Sequence, residues 1–269
     1  MRKVLLFIIV VVSIIGFGQI RVFAQNPEYP GYRSGKTVKL FNGENLDGWY
    51  TFLKDRGRNN DPKKVFTVPN GIIRISGEEW GCITTVNEYK NYRLLVEFKW
   101  GELATEKARD SGVLLHSQGE DGGREGIWMH SIECQIIEGG VGDFIVVGDG
   151  TDDFQITSMV APEKQGKAYV FMPGGKPVTI NIGRINWFAR DPDWKNEFGF
   201  RGKNDVEKPV GEWNTLECIT VDDRITVYLN GVLVNKTAGV KPQTGRIQLQ
   251  SEGAEIFFRK VELTPLIKE

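Results

Sequence analysis

The chain has 269 residues, of which 34 are Lys or Arg and 35 are Asp or Glu, so its formal net charge is −1. A nearly balanced charge gives no reason to expect a surface for nucleic acid or for anionic lipid. Hydrophobic residues make up 40% of the chain, and this composition favours one folded globular body, because all-β domains commonly reach this size as single units.

The N-terminal residues predict a secretory signal peptide. Arg2 and Lys3 precede an apolar run over residues 4–15, and the segment closes on Ala24, a small residue suited to signal cleavage. The apolar run is shorter than the ~20 residues that cross a bilayer core, which disfavours a membrane span.

Cleavage of residues 1–24 would leave a mature chain that begins at Gln25. We expect residues 25–269 to form a single domain. The signal predicts that this domain is secreted or periplasmic, with no membrane span after cleavage.

After the signal, short apolar runs alternate with Gly, Asn and Asp at the spacing typical of β-sandwiches, and no stretch keeps a helical period beyond a turn or two. The clearest hairpin lies at Asn230-Gly231, because these residues between two β-branched runs favour the positive φ angles of a two-residue turn. Pro69-Asn70-Gly71 predicts a second turn. We therefore expect an all-β fold of two packed antiparallel sheets with negligible helix.

Two segments interrupt the alternation. Residues 101–111 form a polar connection with room for one helical turn, and residues 183–212 form a long segment rich in charged and aromatic residues. Since loops in compact domains usually have about 4 to 6 residues, the second segment is a candidate rim or lid over a site.

Three cysteines, Cys82, Cys134 and Cys218, are far apart in the sequence. At most one disulfide can form, and without a CxxC motif or a Cys/His cluster a zinc site has little support. We expect the cysteines to be small buried side chains.

Both histidines of the chain, His116 and His130, lie within residues 110–138. In the run SIECQII the three apolar residues Ile132, Cys134 and Ile136 share one face, which leaves Glu133 and Gln135 together on the other. A carboxylate beside an amide suits sugar hydroxyls, and the carboxylate can also transfer a proton. The alternative is an ordinary exposed polar face.

The same window contains Asp110, Trp128 and Glu138. In the strand SGVLLHS, His116 shares the parity of Leu114. His116 is therefore either a functional group or a partly buried structural histidine.

Two further groups could contact sugar. The run GRIQLQSEG places Gln248, Gln250 and Glu252 on one side of a strand. Aromatic rings in the long segment could stack on sugar rings, or could form a small core that holds the segment in place. These rings belong to Trp187, Trp194, Phe198 and Phe200.

Several motifs follow one another along the chain: LFNGENLDGW, DSGVLLH, WMHSIECQ with GDF a few residues later, EKPVGEWNTLE, YLNGVLVN and GRIQLQSEGAEIFFRKVEL. In this order they resemble the DUF1080 family, over about residues 38–266. Members of that family are described as 3-keto-glucoside lyases and 3-keto-2-hydroxy-glucal hydratases, and earlier as glycosyl hydrolases. The resemblance implies a concanavalin A-like jelly-roll with its ligand site on the concave sheet.

The resemblance also favours Glu133, Gln135 and His116 as residues of the functional site, together with Asp143 in the GDF motif. Relatives often carry Lys or Arg where this chain has His130. This departure weakens any role that needs a permanent positive charge at that position.

Residues and resemblance together predict cleavage of 3-keto-glucosides by elimination and hydration, with Glu133 as the base and His116 as enolate stabiliser or leaving-group acid. A divalent metal is left open, with His116, Glu133 and Asp143 as candidate ligands. The predicted saccharide-binding residues are Gln135, His130, Trp128, Asp143, Gln250, Trp187 and Trp194.

Two other functions stay open. The sandwich could be a carbohydrate-binding module without activity, and convergence of Glu133 with His116 would argue against that. It could also be a retaining glycosidase, which needs two carboxylates about 5 to 5.5 Å apart. The pair would be Glu133 with Glu252 or with Glu138.

Overall fold

The computed structural model describes residues 29–269. The predicted signal peptide and its cleavage site lie outside these described residues. Over the described range, no helix is long and apolar enough to cross a membrane.

The described residues contain twenty strands and one 3-10 helix of three residues. The strands are β1 Tyr32–Ser34, β2 Val38–Lys39, β3 Trp49–Leu53, β4 Gly57–Arg58, β5 Phe66–Thr67, β6 Ile73–Ile75, β7 Gly81–Thr85, β8 Tyr92–Trp100, β9 Asp110–Gln118, β10 His130–Ile137, β11 Phe144–Val147, β12 Gln155–Val160, β13 Tyr169–Val170, β14 Lys176–Ile180, β15 Gly183–Asn186, β16 Asn214–Val221, β17 Arg224–Leu229, β18 Val232–Lys241, β19 Arg246–Ser251 and β20 Ile256–Lys268. The 3-10 helix is Pro69–Gly71, where the sequence predicts a turn.

The strands form two sheets, which confirms the predicted jelly-roll sandwich. One sheet has eleven strands and follows the order β14-β12-β18-β17-β16-β8-β20-β6-β5, with β1 and β2 paired to β20. The other has nine strands in the order β13-β15-β11-β10-β9-β19-β7-β3-β4. The pairing is antiparallel except between β13 and β15 at one edge.

The main core lies between the two sheets and is built by the alternation that the sequence shows. On β8, the buried side chains Leu94, Val96 and Phe98 alternate with more exposed neighbours. On β10, the residues Ile132, Cys134 and Ile136 join the same core. Since successive strand residues point to opposite faces, this core fixes which face of β10 is left for other contacts.

The β17–β18 hairpin is confirmed. Leu229 pairs with Val232, and the two residues between them, Asn230 and Gly231, have φ angles of 51° and 81°. Positive φ at both positions is the geometry of the predicted two-residue turn.

The irregular segments differ in detail from their predicted bounds. The connection after β8 covers residues 101–109 and contains no helical turn. The first residues of the long segment form β15, which pairs with β11. The irregular part therefore spans residues 187–213.

All three cysteines are buried, as predicted, and none of them forms the one disulfide that the sequence left open. Cys134 and Cys218 lie in the main core, from the two different sheets. Cys82 lies in a second, smaller cluster on the far face of the nine-stranded sheet, with Leu114 and Trp128.

Candidate active site

The polar face of β10 lies on the side of the nine-stranded sheet that faces away from the main core. Glu133 and Gln135 are on this side, as the alternation predicts. Both side chains are buried, with 4% and 2% of their surface exposed, so they are not an ordinary exposed strand face. A buried carboxylate must be paired, protonated or reserved for a ligand.

A glycine makes room for two of these side chains. Gly112 of β9 lies opposite Gln135 of β10. A Cβ at residue 112 would lie 2.4 Å from Oε1 of Glu133 and 2.3 Å from Oε1 of Gln250, which belongs to the neighbouring strand β19. Both oxygens are buried and have no hydrogen-bond partner. Two unpartnered acceptors at one point indicate that a proton or a ligand group completes the site.

Three carboxyl groups, one on β9, one on β10 and one just after β19, influence one another here. Burial raises the pKa of Glu133, and repulsion from Asp110 raises it further. Burial raises the pKa of Glu252, and repulsion from Asp110 and Glu133 raises it further. Burial also raises the pKa of Asp110. Carboxyl groups with raised pKa values can hold a proton that an ordinary carboxyl group would lose at neutral pH, which is typical of acid–base catalysts.

Arg184 is the cation that acts on all three acids. Arg184 of β15 donates a hydrogen bond of 2.8 Å to Oε1 of Gln135 and one of 3.0 Å to Oδ2 of Asp143. Its positive charge lowers the pKa of Asp110, Glu133 and Glu252. The Arg184 side chain is 28% exposed, so it stays open to a ligand.

Gln135 links the cation to the acids. Its amide nitrogen donates to Oδ1 of Asp110, while its amide oxygen accepts from Arg184. Both ends of the amide are therefore occupied, and Gln135 orients these two side chains. The expectation that Gln135 holds a sugar hydroxyl is not supported by these contacts.

Asp143 does not line the site. Its side chain is 0% exposed. The carboxylate accepts from the backbone N–H of Trp187 at 2.7 Å and from the guanidinium groups of Arg184 and Arg190. The structure does not support the expected contact of Asp143 with substrate, because the carboxylate is buried and paired; the residue instead holds Arg184 in place.

His116 is also turned away from Glu133. A β-bulge at this point shifts the pairing of β9 with both neighbours, and His116 has a positive φ of 54°. Its ring packs edge-on against Tyr92 of the main core, with centroids 5.9 Å apart, and Nδ1 lies 2.8 Å from the carbonyl oxygen of Pro242. Burial lowers the pKa of His116 to about 4. The expected convergence with Glu133 is therefore absent, and the extra residue of the bulge is the reason.

His130 lies at the far end of β10. Its ring packs on Phe154 with centroids 5.1 Å apart, and Nδ1 lies 3.3 Å from the carbonyl oxygen of Val147. It lies three positions before Glu133 along the strand, which corresponds to about 10 Å. The structure does not bring His130 into the acid cluster.

The predicted stacking residues have different surroundings. Trp187 is 2% exposed and belongs to the main core, which favours the alternative of a packing role over stacking on sugar. Trp128 is 6% exposed and lies beneath Trp80. Trp194 is partly exposed, packs against the guanidinium of Arg190 at 4.0 Å and lines a cleft beside Arg184.

Two depressions meet at Asp110. A cleft of about 690 Å³ contains Arg184, Arg190 and Trp194 in its wall. A second depression of about 600 Å³ contains Glu252 and Trp80. Asp110 and Asn196 line both. Volumes of this size are typical of small-molecule sites.

The long segment over residues 187–213 forms one wall of the cleft. Nε1 of Trp194 donates to the carbonyl oxygen of Glu138 at 2.8 Å, and the backbone N–H of Gly199 donates to Oε2 of Glu138 at 3.0 Å. Glu138 also forms a buried ion pair with Arg109. Glu138 therefore anchors the segment and is not available as the second carboxylate of a glycosidase pair.

Two residues of the site, Arg184 and Trp80, were not predicted from the sequence. Arg184 lies in the long segment that the sequence marks only as a candidate rim or lid. Trp80 lies in a polar turn, where no alternation indicates its environment, and it is 45% exposed in the structure. A lone tryptophan between Glu79 and Gly81 was the available signal.

The predicted metal ligands do not come together. Asp143 is enclosed by arginines and His116 lies on the opposite side of the sheet from Glu133. Across residues 29–269, no group of three or more His, Cys, Asp or Glu side chains is arranged to hold a metal ion.

Comparisons with known proteins agree with the fold. One similar solved structure is described as a candidate glycosyl hydrolase from Parabacteroides distasonis ATCC 8503; it is 18% identical, with 84% of this chain and 92% of that chain covered at a TM-score of 0.50. A second, from the same organism and described in the same way, is 20% identical, with 85% and 98% covered at a TM-score of 0.49. No curated protein matches the sequence.

The family comparison extends over almost the whole described chain. A family model described as a 3-keto-alpha-glucoside-1,2-lyase-like domain matches residues 36–264. This range contains all the strands that carry the acid cluster and Arg184. The chain therefore belongs to the 3-keto-alpha-glucoside-1,2-lyase-like family.

Proposed function

We propose that the protein cleaves 3-keto-glucosides by elimination followed by hydration. Family membership supports a carbohydrate-active enzyme with this type of substrate. The observation that carries the proposal is the cluster of Asp110, Glu133 and Glu252, whose pKa values are raised, beside the cation Arg184. A binding module has no need for shifted acids, whereas proton transfer depends on them.

The elimination step requires two proton transfers. The ketone at carbon 3 acidifies the hydrogen on carbon 2, so that a base can remove it and leave an enolate. The enolate then expels the substituent on carbon 1 with its electron pair, and an acid protonates this leaving group. Water adds across the resulting double bond, with its proton at carbon 2 and its hydroxyl at carbon 1, and the net result is hydrolysis.

The charge and protonation of each side chain decide which step it is proposed to assist. Glu133, in its ionised form, is the proposed base, because its Oε1 lacks a hydrogen-bond partner. Arg184 stabilises the enolate oxygen, the role that His116 was expected to take. Glu252, whose pKa is raised by burial and by the other two acids, stays protonated and supplies the leaving-group proton.

The test uses a 3-keto-glucoside with deuterium at carbon 2, beside its protiated form and its unoxidised parent. Elimination predicts release of the leaving group from the ketone only, slower release from the deuterated form, and loss of the label to water. A retaining glycosidase would cleave the unoxidised parent without a large isotope effect. A carbohydrate-binding module would bind the sugars and release nothing. Either of these last two results would overturn the proposal.

We also propose that the protein is exported, with residues 1–24 removed and residues 25–269 forming one domain. The basic start, the apolar run and Ala24 support this proposal. N-terminal sequencing of the protein from the periplasm or the medium should find Gln25 first. Retention of Met1 would contradict it.

A further inference from the structure

The groove that Asp110 and Glu252 line continues beyond Glu252. The depression that contains Glu252 and Trp80 is followed by a third one, of about 470 Å³, which Trp80 also lines. Asp110 thus joins the first two depressions and Trp80 joins the last two. The three depressions together therefore offer space beyond the one beside Arg184.

Trp80 is built as a platform within this groove. Its ring lies 6.3 Å from the ring of Trp128 at an angle of 30°, and Trp128 itself is buried in the cluster beneath. The carbonyl oxygen of Trp80 accepts a hydrogen bond of 3.0 Å from the N–H of Lys54. The backbone and one neighbour hold the ring, while 45% of the residue surface stays open.

We propose that Trp80 binds a sugar ring in the leaving group of the substrate. The proposal rests on the proposed function, which puts the ketone-bearing ring between Arg184 and the acids. The substituent on carbon 1 then extends past Glu252, the leaving-group acid, and reaches Trp80 in the same depression. A pyranose ring presents C–H groups that pack on an aromatic face as other apolar groups do.

The surroundings of Trp80 favour a sugar over an aromatic leaving group. The third depression is lined by charged side chains, among them Lys54, Glu78 and Glu125. Carboxylates accept hydrogen bonds from hydroxyl groups and ammonium groups donate to them. The third depression therefore suits the hydroxyl groups of a sugar, and Trp80 is the residue beside it that offers an aromatic face to the leaving-group ring.

The experiment compares three 3-keto-glucosides that carry a methyl, a phenyl or a glucosyl leaving group. For Trp80→Ala, kcat/KM should fall about 10-fold or more on the glucosyl substrate, less on the phenyl substrate, and stay near the wild-type value on the methyl substrate. Trp80→Phe should recover much of the loss. Phe188→Ala is the matched control, because Phe188 is 47% exposed and lines none of the three depressions.

An equal loss on all three substrates, or no loss on the glucosyl substrate, would overturn the role of Trp80. A larger loss on the phenyl than on the glucosyl substrate would overturn the choice of a sugar. Calorimetric binding of the unoxidised methyl glucoside and disaccharide to wild type and Trp80→Ala separates this inference from the reaction. If no ketone is cleaved by the wild type, the proposed function fails; the inference still stands or falls on whether Trp80→Ala weakens binding of the disaccharide alone.

Discussion

Glu133 and Gln250 direct their unpartnered oxygens at the same point on the intervening strand, the side of Gly112 where a Cβ would be. That Cβ would lie 2.4 Å from the carboxylate oxygen and 2.3 Å from the amide oxygen. The absence of a side chain at residue 112 is thus a condition for the site. It lets two side chains from β10 and β19 meet across β9.

Gly112→Ala should damage the site because the added methyl displaces both buried side chains. We expect kcat/KM to fall by roughly 10², and the free energy of unfolding to fall by about 1–3 kcal/mol, the usual cost of overpacking. Steady-state kinetics and urea denaturation measure the two effects. Gly35→Ala is the control, since its Cβ would meet neighbours at 3.3 Å outside the groove. Full activity of Gly112→Ala would show that this contact is irrelevant to the site.

Glu133→Gln keeps the shape of the side chain and removes the base. We expect turnover of a 3-keto-glucoside to fall by roughly 10² to 10⁴, with saccharide binding and the thermal midpoint changed far less. Rate, calorimetric affinity and thermal denaturation should be measured together.

Glu138→Gln provides the comparison for Glu133→Gln, because it breaks the buried ion pair with Arg109. That variant should lose about 3–5 kcal/mol of stability. A folded Glu133→Gln protein with near-normal turnover would remove Glu133 from the mechanism and point to Glu252 or Asp110 as the base.

Arg184→Met should shift the pH dependence of activity. Arg184 lowers the pKa of Asp110, Glu133 and Glu252, so its removal raises all three. A base that must be ionised then works only at higher pH, and the acidic limb of kcat/KM should move to higher pH. At pH 7 the rate should fall by roughly 10² or more, because the enolate also loses its cation.

Arg184→Lys is the control for this shift, since it keeps the charge and should leave the acidic limb closer to that of the wild type. Circular dichroism and the thermal midpoint check that the variants are folded. An unchanged pH profile in a folded, less active Arg184→Met protein would mean that Arg184 does not act on the acids.

Gly231→Val should destabilise the β17–β18 hairpin through backbone strain alone. Gly231 has a φ of 81°, and nothing lies within 4 Å of the position of its Cβ, so no clash contributes. A β-branched residue at positive φ should lower the free energy of unfolding by about 1–3 kcal/mol. Gly231→Asn should lose less, since Asn tolerates this region. Equal denaturation midpoints for Val and Gly would contradict this account of the turn.

Local patterns in the sequence determined much of the fold. Alternation predicted the strands, the buried cysteines and the shared face of Glu133 and Gln135, because side chains on a strand repeat every two residues. Asn230-Gly231 predicted its hairpin for an equally local reason, the preference of these residues for positive φ.

Alternation predicted the wrong face of the sheet for His116. A β-bulge adds one residue to the strand, so the side chains beyond it point to the opposite face. Sequence parity assumes a regular strand, and the positive φ of His116 is not visible in it. The burial of Trp187 was not predicted for a related reason. Trp187 lies in an irregular segment, where no repeating pattern indicates which side chains are buried. In the structure its side chain packs in the main core.

The acid cluster could not be read from the sequence, because it depends on which strands are neighbours. Asp110, Glu133 and Glu252 belong to β9, to β10 and to the residue just after β19, and Arg184 belongs to β15. The sequence determined the character of each strand, since alternation and turn preference act over a few residues. Only the tertiary structure decided that these four side chains meet, because the order of strands is set by hydrogen bonds and core packing between distant parts of the chain.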